Sequence, residues 1–192
     1  MKLPQGLKVI GNGAFWGCKS LERIIFFSTL TEIGMFAFNG CTLLREVKLC
    51  EGNQTIETGV FYLCRSLLHV EIPSTVTKIS ECAFADCTAL REVKLCEGTH
   101  ATIIGESAFR GCHSLLHINI PSTVTEMDED AFYDCDLLRN IVISSNFSQE
   151  MFLGIDSLLS LLIKEMYQEP TSFYNVSSSL PNTDCSLEKL KG

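Results

Sequence analysis

Three residue types recur along this chain in a fixed register, and no other feature constrains its fold as strongly. Six of the twelve phenylalanines form a regular series, in which a cysteine follows each phenylalanine by three positions and a leucine follows each cysteine by three more. Successive phenylalanines are 23 residues apart, except for one step of 25. Columns that stay in register over six units indicate a repeat architecture. The columns consist of Phe15, Phe38, Phe61, Phe84, Phe109 and Phe132; Cys18, Cys41, Cys64, Cys87, Cys112 and Cys135; and Leu21, Leu44, Leu67, Leu90, Leu115 and Leu138.

Each unit predicts a short strand and an inward-facing turn. The segment Leu44–Leu49 alternates apolar and polar residues, which is the period of a half-buried strand. A Phe and a Cys three positions apart suit one turn of α-helix or 3₁₀-helix that faces the core. One such unit cannot bury its apolar side, whereas stacked units can. The sequence therefore predicts one parallel strand per unit, centred on Ile24, Val47, Val70, Val93, Ile118 and Ile141.

The unit resembles the leucine-rich repeat, specifically the BspA-like subfamily with its short "AFxxCxxLxxIxLPxxVxxI" pattern. The resemblance covers Leu3 to Ile143, and the fourth unit, "IPSTVTKISECAFADCTALREVKL", fits almost throughout. It implies an α/β repeat solenoid: a right-handed leucine-rich-repeat coil with a parallel concave β-sheet and short helical or 3₁₀ turns. Val60 replaces the alanine before Phe61, and the fifth unit carries two extra residues around "EGTHAT". Those two residues predict a local bulge in the loop after the strand.

Two phrases alternate along the repeats. "LREVKLCEG" occurs at 44–52 and again at 90–98, while "LLHVEIPSTVT" at 67–77 is echoed by "LLHINIPSTVT" at 115–125. The "CEG" and "PST" loops occupy equivalent positions, with Cys50 and Cys96 where other units carry Pro73 and Pro121. We interpret the alternation as the result of duplicating a two-coil block, and not as a sign that the two loop types have different chemical roles.

The solenoid is expected to occupy residues 1–165 and a flexible tail residues 166–192. After the six clear coils, "MFLGIDSLLSLLI" predicts either a degenerate seventh coil or an amphipathic capping helix from about Asp156 to Tyr167. The remainder is rich in Ser, Pro and Asn, which is typical of flexible segments. Because the chain starts inside a repeat, it is also compatible with a piece of a longer protein.

The composition excludes several classes of partner. Fifteen basic residues against 23 acidic ones give a formal charge of -8. Nucleic acids and anionic membrane surfaces both select basic patches, so neither is expected as a partner. No apolar run approaches the roughly 20 residues of a membrane helix, and the start lacks a signal-peptide pattern. We therefore expect no membrane insertion and, by default, a cytoplasmic location.

The cysteine column is interpreted as core packing. A metal site gathers its ligands around one point, whereas this column runs as a line along the stack. Free cysteine behaves as a small, frequently buried hydrophobe. Cys82 and Cys185 lie outside the column and are expected to be the accessible thiols.

The outward positions of the predicted sheet are the candidate partner-binding residues. His69, Glu92 and His117 stand on successive strands, where a metal site would need them to converge on one ion. Side chains in a straight ladder diverge, which disfavours such a site. We interpret the alternation of charges instead as a way of avoiding like-charge neighbours across strands. No metal, cofactor or set of catalytic residues is expected. The candidate residues on the concave face are Glu46, Lys48, His69, Glu71, Glu92, Lys94, His117 and Asn119.

The sequence thus predicts a non-catalytic protein-binding module with a concave surface and a protein partner of unknown identity. Protein binding is the general role that the family resemblance implies. The alternative is a structural array, as a fragment of a larger surface or scaffold protein.

Overall fold

The computed structural model describes residues 3–52, 54–96, 98, 100–128 and 130–143, the last four of these by their backbone alone. The predicted seventh coil or capping helix and the predicted flexible tail, with the boundary between residues 165 and 166, lie outside this range. The coils are numbered here by their phenylalanine, so that coil 1 contains Phe15 and coil 6 contains Phe132.

The described residues form short strands joined by turns. In chain order the strands are β1 (Val9–Ile10), β2 (Arg23–Ile25), β3 (Glu32–Ile33), β4 (Glu46–Lys48), β5 (Thr55–Ile56), β6 (His69–Ile72), β7 (Lys78–Ile79), β8 (Glu92–Leu95), β9 (Ile103–Ile104), β10 (His117–Ile120), β11 (Glu126–Met127) and β12 (Asn140–Ile143). In this part of the chain there is no helix, and hence none able to span a membrane.

The strands assemble into parallel sheets in which each strand pairs with its counterpart from the next coil. A six-stranded sheet has the order β12-β10-β8-β6-β4-β2, a four-stranded sheet the order β11-β9-β7-β5, and β1 pairs with β3. Ile24 lies opposite Val47, Val70 opposite Val93, and Ile118 opposite Ile141. The predicted parallel strands, and the solenoid they build, are confirmed. The second set of strands, where the sequence shows only short apolar pairs, was not predicted.

Stacked phenylalanines form the centre of the core. Consecutive rings from Phe15 to Phe132 have centroid separations of 5.1, 5.6, 5.3, 5.4 and 5.2 Å, and their planes differ by at most 17°. Such offset stacking adds to the hydrophobic gain of burying each ring. The rings from coils 2 to 6 are buried. Phe15 and Cys18, the first members of their columns, are only half-buried.

The "AFxxC" segments are successive turns, not the helical turn that the sequence favours. In coil 1 the N–H groups of Ala14, Trp16 and Cys18 each close a turn by donating to the carbonyl three residues earlier. The intervening N–H groups donate to the next coil instead, as Phe15 does to the Ala37 carbonyl at 2.7 Å. A 3₁₀-helix needs the three-residue bond at consecutive residues, so this division of the donors prevents one.

The two extra residues of the fifth unit fall between β8 and β9, partly outside the described residues. The register is kept on both sides of them, because His117 lies opposite Glu92 and Lys78 lies opposite Ile103. The insertion is therefore absorbed by the loop and does not interrupt either sheet.

Candidate interaction surface

The outer side of the six-stranded sheet, called here the sheet face, carries the residues that the sequence singles out. Strands β6, β8 and β10 alternate between exposed and buried residues. The pairing aligns the exposed residues into two rows across the coils, with His69 between Glu46 and Glu92, and Glu71 beside Lys94. All eight candidate residues lie on this face, and Glu46 alone among them is half-buried.

Two ion pairs join neighbouring strands on the sheet face. An Arg23 nitrogen lies 2.7 Å from a Glu46 carboxylate oxygen, and the Lys94 ammonium lies 3.0 Å from Glu71. The hydrogen bond that Lys94 donates to Glu71, together with the charge of that carboxylate, raises the pKa of Lys94. Both pairs lie largely in solvent, which screens them, so neither is expected to contribute much to stability.

Three further polar side chains form a row across the strands of the sheet face. His69, Glu92 and His117 are exposed and stand on the adjacent strands β6, β8 and β10. Adjacent strands are about 4.8 Å apart, so the three groups present a short, nearly continuous polar line. Among the described residues, no three His, Cys, Asp or Glu side chains converge where a metal ion could lie. The arrangement is suited to hydrogen bonding across an interface.

The cysteine column has a hydrogen-bonding role within the core. The Cys41 thiol donates to the Phe15 carbonyl at 3.1 Å, and Cys87 donates to Phe61 at 3.2 Å. The same contact, from a cysteine to the phenylalanine carbonyl of the preceding coil, recurs for Cys64, Cys112 and Cys135. A cysteine therefore supplies a small apolar volume and a donor for a carbonyl that already accepts one turn hydrogen bond.

Burial keeps these thiols protonated. It raises the pKa of Cys41 to about 11 and that of Cys135 to about 12, and it raises the pKa of Cys87 well above the usual range. Every cysteine of the described residues is a free thiol. The predicted accessible thiol Cys82 is half-buried, and burial, followed by the charges of Glu81 and Glu106, raises its pKa. Cys185 lies outside the described residues.

The two alternating loop types contact each other. The Glu51 carboxylate of the first "CEG" loop accepts hydrogen bonds from the Ser74 N–H at 3.2 Å, the Ser74 hydroxyl at 3.1 Å and the Thr75 N–H at 3.1 Å. Desolvation alone would raise the pKa of Glu51, but these hydrogen bonds together lower it. The Gly52 N–H donates to the Thr75 hydroxyl in return. These hydrogen bonds join the first "CEG" loop to the neighbouring "PST" loop, a contact that the sequence alone does not reveal.

The family profile for the BspA type leucine rich repeat region matches residues 1–101 and 98–191, with six copies of the repeat. No curated protein sequence matches the chain.

Three solved structures are similar to this fold. A leucine rich repeat protein of T. pallidum is 25% identical with a TM-score of 0.70, over 92% of this chain and 85% of that one. A leucine rich cell surface protein of Faecalibacterium prausnitzii is 28% identical over 81% of this chain, with a TM-score of 0.54. A leucine-rich repeat protein of Bacteroides ovatus is 27% identical over 73% of it, with a TM-score of 0.55.

The chain spans only 34% of the F. prausnitzii protein and 42% of the B. ovatus protein. The repeat profile nevertheless matches almost the whole of this chain, and the parallel solenoid agrees with it. The chain belongs to the BspA-type leucine-rich repeat family.

Proposed function

We propose that this protein is a non-catalytic binding module that holds a protein partner against the sheet face. Leucine-rich repeat proteins generally serve protein interaction or surface scaffolding and are generally not enzymes. The observation that best supports a binding role here is the exposed row of His69, Glu92 and His117. None of these side chains is needed to fill the core, so the fold leaves them free for recognition.

The contacts would be polar and centred on the middle coils. Interface energy concentrates in a few central residues, and the middle strands β4, β6 and β8 carry the densest set of outward charges. Glu71 and Lys94 already form an ion pair with each other. A partner would therefore gain more binding energy by contacting Glu92 and the histidines that flank it. Charge complementarity of this kind speeds association and weakens with salt. The central residues of the proposed site are Glu46, Lys48, His69, Glu71, Glu92 and Lys94.

A structural array is the second candidate. It is favoured by the ladder of identical contacts that runs through every described coil, since such a ladder can be extended by further coils without change. It is also favoured by the length of the F. prausnitzii cell surface protein, of which this chain spans about a third. In that case the sheet face would need no partner of its own.

Proximity labelling of the full-length protein, followed by a binding measurement with each recovered protein, separates these functions. The test variant is Glu71→Lys/Glu92→Lys, which reverses two central charges on the sheet face. The matched control is Glu32→Lys/Glu126→Lys, which makes the same change in net charge at exposed positions of β3 and β11. Folding of both variants is checked by circular dichroism.

A partner that uses the sheet face should bind the Glu71→Lys/Glu92→Lys variant at least tenfold more weakly and the control variant with unchanged affinity. Equal binding to wild type and to the sheet-face variant would contradict the proposal and favour the structural array.

A further inference from the structure

The turns that contain the phenylalanines form a second surface, away from the sheet face. We call this surface the turn face. Four positions of each coil contribute to it: the two that lie three and two residues before the core phenylalanine and the two directly after it. Only the residues that are exposed or half-buried at these positions belong to the turn face. In coils 1 to 3 none of these positions holds a charged residue.

Coils 1 and 2 of the turn face carry three large apolar side chains, of which two are in contact. Trp16 is 64% exposed and Met35 is 46% exposed, which are high values for residues of this size. The Phe36 ring lies 6.0 Å from the Trp16 ring, centroid to centroid. Contiguous apolar side chains on a surface commonly mark an interaction site, and tryptophan is enriched at the energetic centre of interfaces. We call Trp16, Met35 and Phe36 the aromatic patch.

Phe36 occupies a position that suits glycine. Its φ is 56°, and the equivalent positions of the neighbouring coils hold Gly13 and Gly59, both with φ of 61°. The left-handed conformation is less favourable for a residue with a side chain than for glycine. The Phe36 ring also lies over Gly59, where a Cβ would overlap it. The Phe36 ring is thus held beside an exposed tryptophan by a backbone conformation that favours glycine, although Cys82 and Ser107 occupy the same position with similar φ in coils 4 and 5.

The other half of the turn face is acidic. In coils 4 to 6 the same positions include Glu81, Asp86, Glu106, Asp130 and Asp134, all exposed or half-buried. The one basic residue at these positions in the described coils is Arg110, whose guanidinium lies 5.8 Å from the Tyr133 ring centroid. Three of these carboxylates act on a common region, because Glu81, Glu106 and Asp86 each raise the pKa of Cys82, after the larger effect of burial, while Arg110 lowers it.

We propose that the turn face docks an extended basic segment of a partner protein, with an apolar anchor on the aromatic patch and lysine or arginine side chains over coils 4 to 6. The charge distribution selects this occupant, since a basic segment complements the acidic half of the face. A second copy of the chain, with its net charge of -8, would instead bring acidic surfaces together.

The spacing of the coils sets the pattern of the segment. Coils lie about 4.8 Å apart, and an extended peptide advances about 3.3 Å per residue. Coil 2 is therefore roughly 10 Å from coil 4 and roughly 19 Å from coil 6. An extended peptide would cover this range with basic residues about three to six positions from its apolar anchor. This site is separate from the sheet face and goes beyond the function proposed above.

The test uses synthetic peptides and the single tryptophan of the chain as the reporter. The probe peptide lacks tryptophan and carries two leucines at one end and four lysines three to six positions away. One control peptide replaces the lysines with glutamates, and another replaces the leucines with serines. Binding is followed by Trp16 emission and by the anisotropy of a dye on the peptide. The probe should shift Trp16 emission to shorter wavelength, and each control should bind at least tenfold more weakly.

Variants of the protein locate the site. Phe36→Gly removes one of the three side chains of the aromatic patch and allows the backbone its favoured glycine, so the variant should fold and should bind the probe about tenfold more weakly. Glu81→Lys/Glu106→Lys should weaken binding and reduce its salt dependence. Leu43→Ser is the matched control, since Leu43 is 43% exposed but lies outside the turn face. The sheet-face variant Glu71→Lys/Glu92→Lys should also bind the probe normally, so failure of one site is distinguishable from failure of the other.

Absence of probe binding, or equal affinity of the wild type and Phe36→Gly, would overturn the proposal. So would equal binding of the glutamate peptide. A concentration-dependent dimer that Phe36→Gly abolishes would show that the patch binds a second copy of the chain, and would overturn the assigned occupant.

Discussion

At the scale of single residues, the backbone of the turns determines which side chains each position accepts. Two positions in each turn segment of coils 1 to 5, two residues before and two after the core phenylalanine, adopt left-handed φ: Gly13 and Gly17 in coil 1, and Phe36 and Gly40 in coil 2. Glycine adopts this conformation without steric cost, whereas other residues require compensation from their surroundings. Departures from glycine at these positions, as at Phe36, are therefore informative.

Gly59→Ala should destabilise the protein through two separable effects. The new Cβ would occupy a left-handed conformation, with φ of 61°, and would overlap the Phe36 ring. We expect a loss of about 2–3 kcal/mol in the free energy of unfolding, measured by urea denaturation. In a Phe36→Gly background the overlap disappears, so the loss should fall to about 1–2 kcal/mol. An equal loss in the two backgrounds would contradict the contact between Phe36 and residue 59.

The buried thiols predict that the protein loses stability in alkali. Cys64, Cys87, Cys112 and Cys135 are inaccessible to solvent, and burial raises the pKa of each, that of Cys135 to about 12. Between pH 9 and their folded-state pKa values the unfolded chain releases these protons and the folded chain keeps them. The free energy of unfolding should therefore fall as pH rises in this range, by about 1.4 kcal/mol per thiol for each pH unit.

Urea unfolding at pH 8 and pH 10 measures this loss. Cys112→Ser/Cys135→Ser is the control, because a hydroxyl can donate the same hydrogen bond without titrating in this range. Its stability should fall less steeply with pH than that of the wild type. Identical slopes would show that the two thiols do not govern the alkaline loss.

At the scale of the elements, the sequence predicts the strands of the six-stranded sheet better than the connections. Alternation of polar and apolar residues, as in Glu46–Leu49, indicates a half-buried strand. The two-residue strands such as Lys78–Ile79 are too short for that period to show. The three-residue spacing of Phe and Cys predicts a helical turn, but the same spacing also occurs in the successive turns that the structure shows. The distinction depends on backbone donors, which bond to the next coil and leave no signature in the side chains.

The two candidate surfaces also differ in how far the sequence predicts them. The eight outward residues of the sheet face follow directly from the strand register, so their positions could be predicted from sequence. The aromatic patch could not, because Trp16 and Phe36 are brought together by the stacking of coils 1 and 2. A comparison of the turn positions across all repeats would have revealed one signal, namely the change from uncharged to acidic residues after coil 3. The role of Glu51 depends on a contact between loops and had no such signal.

The contact between the "CEG" and "PST" loops predicts a contribution to stability that is lost in acid. The pKa of Glu51 is lowered in the folded state, so its ionised form stabilises the fold above the ordinary carboxyl pKa of 4.5. That stabilisation decreases as pH falls through 4.5 and below, when the carboxylate is protonated. Glu51→Gln keeps the shape but cannot titrate, so it should be less stable than the wild type at pH 7.

The difference between Glu51→Gln and wild type should shrink from pH 7 to pH 3.5, as measured by thermal unfolding. Glu57→Gln is the control, since Glu57 lies near β5 but outside this loop contact. A difference that is the same at both pH values would mean that the charge of Glu51 does not contribute.

At the scale of the whole molecule, each coil is stabilised chiefly by the coils on either side of it. The phenylalanine stack, the thiol-to-carbonyl bonds and the parallel sheets all join neighbouring coils, and none of them links distant ones. Stability in such a solenoid is close to a sum of unit and nearest-neighbour contributions. The consequence for function is that the sheet face and the turn face share one scaffold and can be altered separately, provided that the stack stays intact.

This dependence on neighbours predicts that the same substitution has different effects along the stack. Phe84 is fully buried between Phe61 and Phe109, at centroid distances of 5.3 and 5.4 Å, so Phe84→Ala should cost about 3–5 kcal/mol by leaving a cavity. Phe15 is half-buried and stacks on Phe38 alone, so Phe15→Ala should cost clearly less. Hydrogen exchange measured by mass spectrometry should show lost protection on both sides of coil 4 for Phe84→Ala, but mainly in coils 1 and 2 for Phe15→Ala. If both variants lost protection uniformly over all coils, the molecule would unfold as a single unit and the nearest-neighbour description would be wrong.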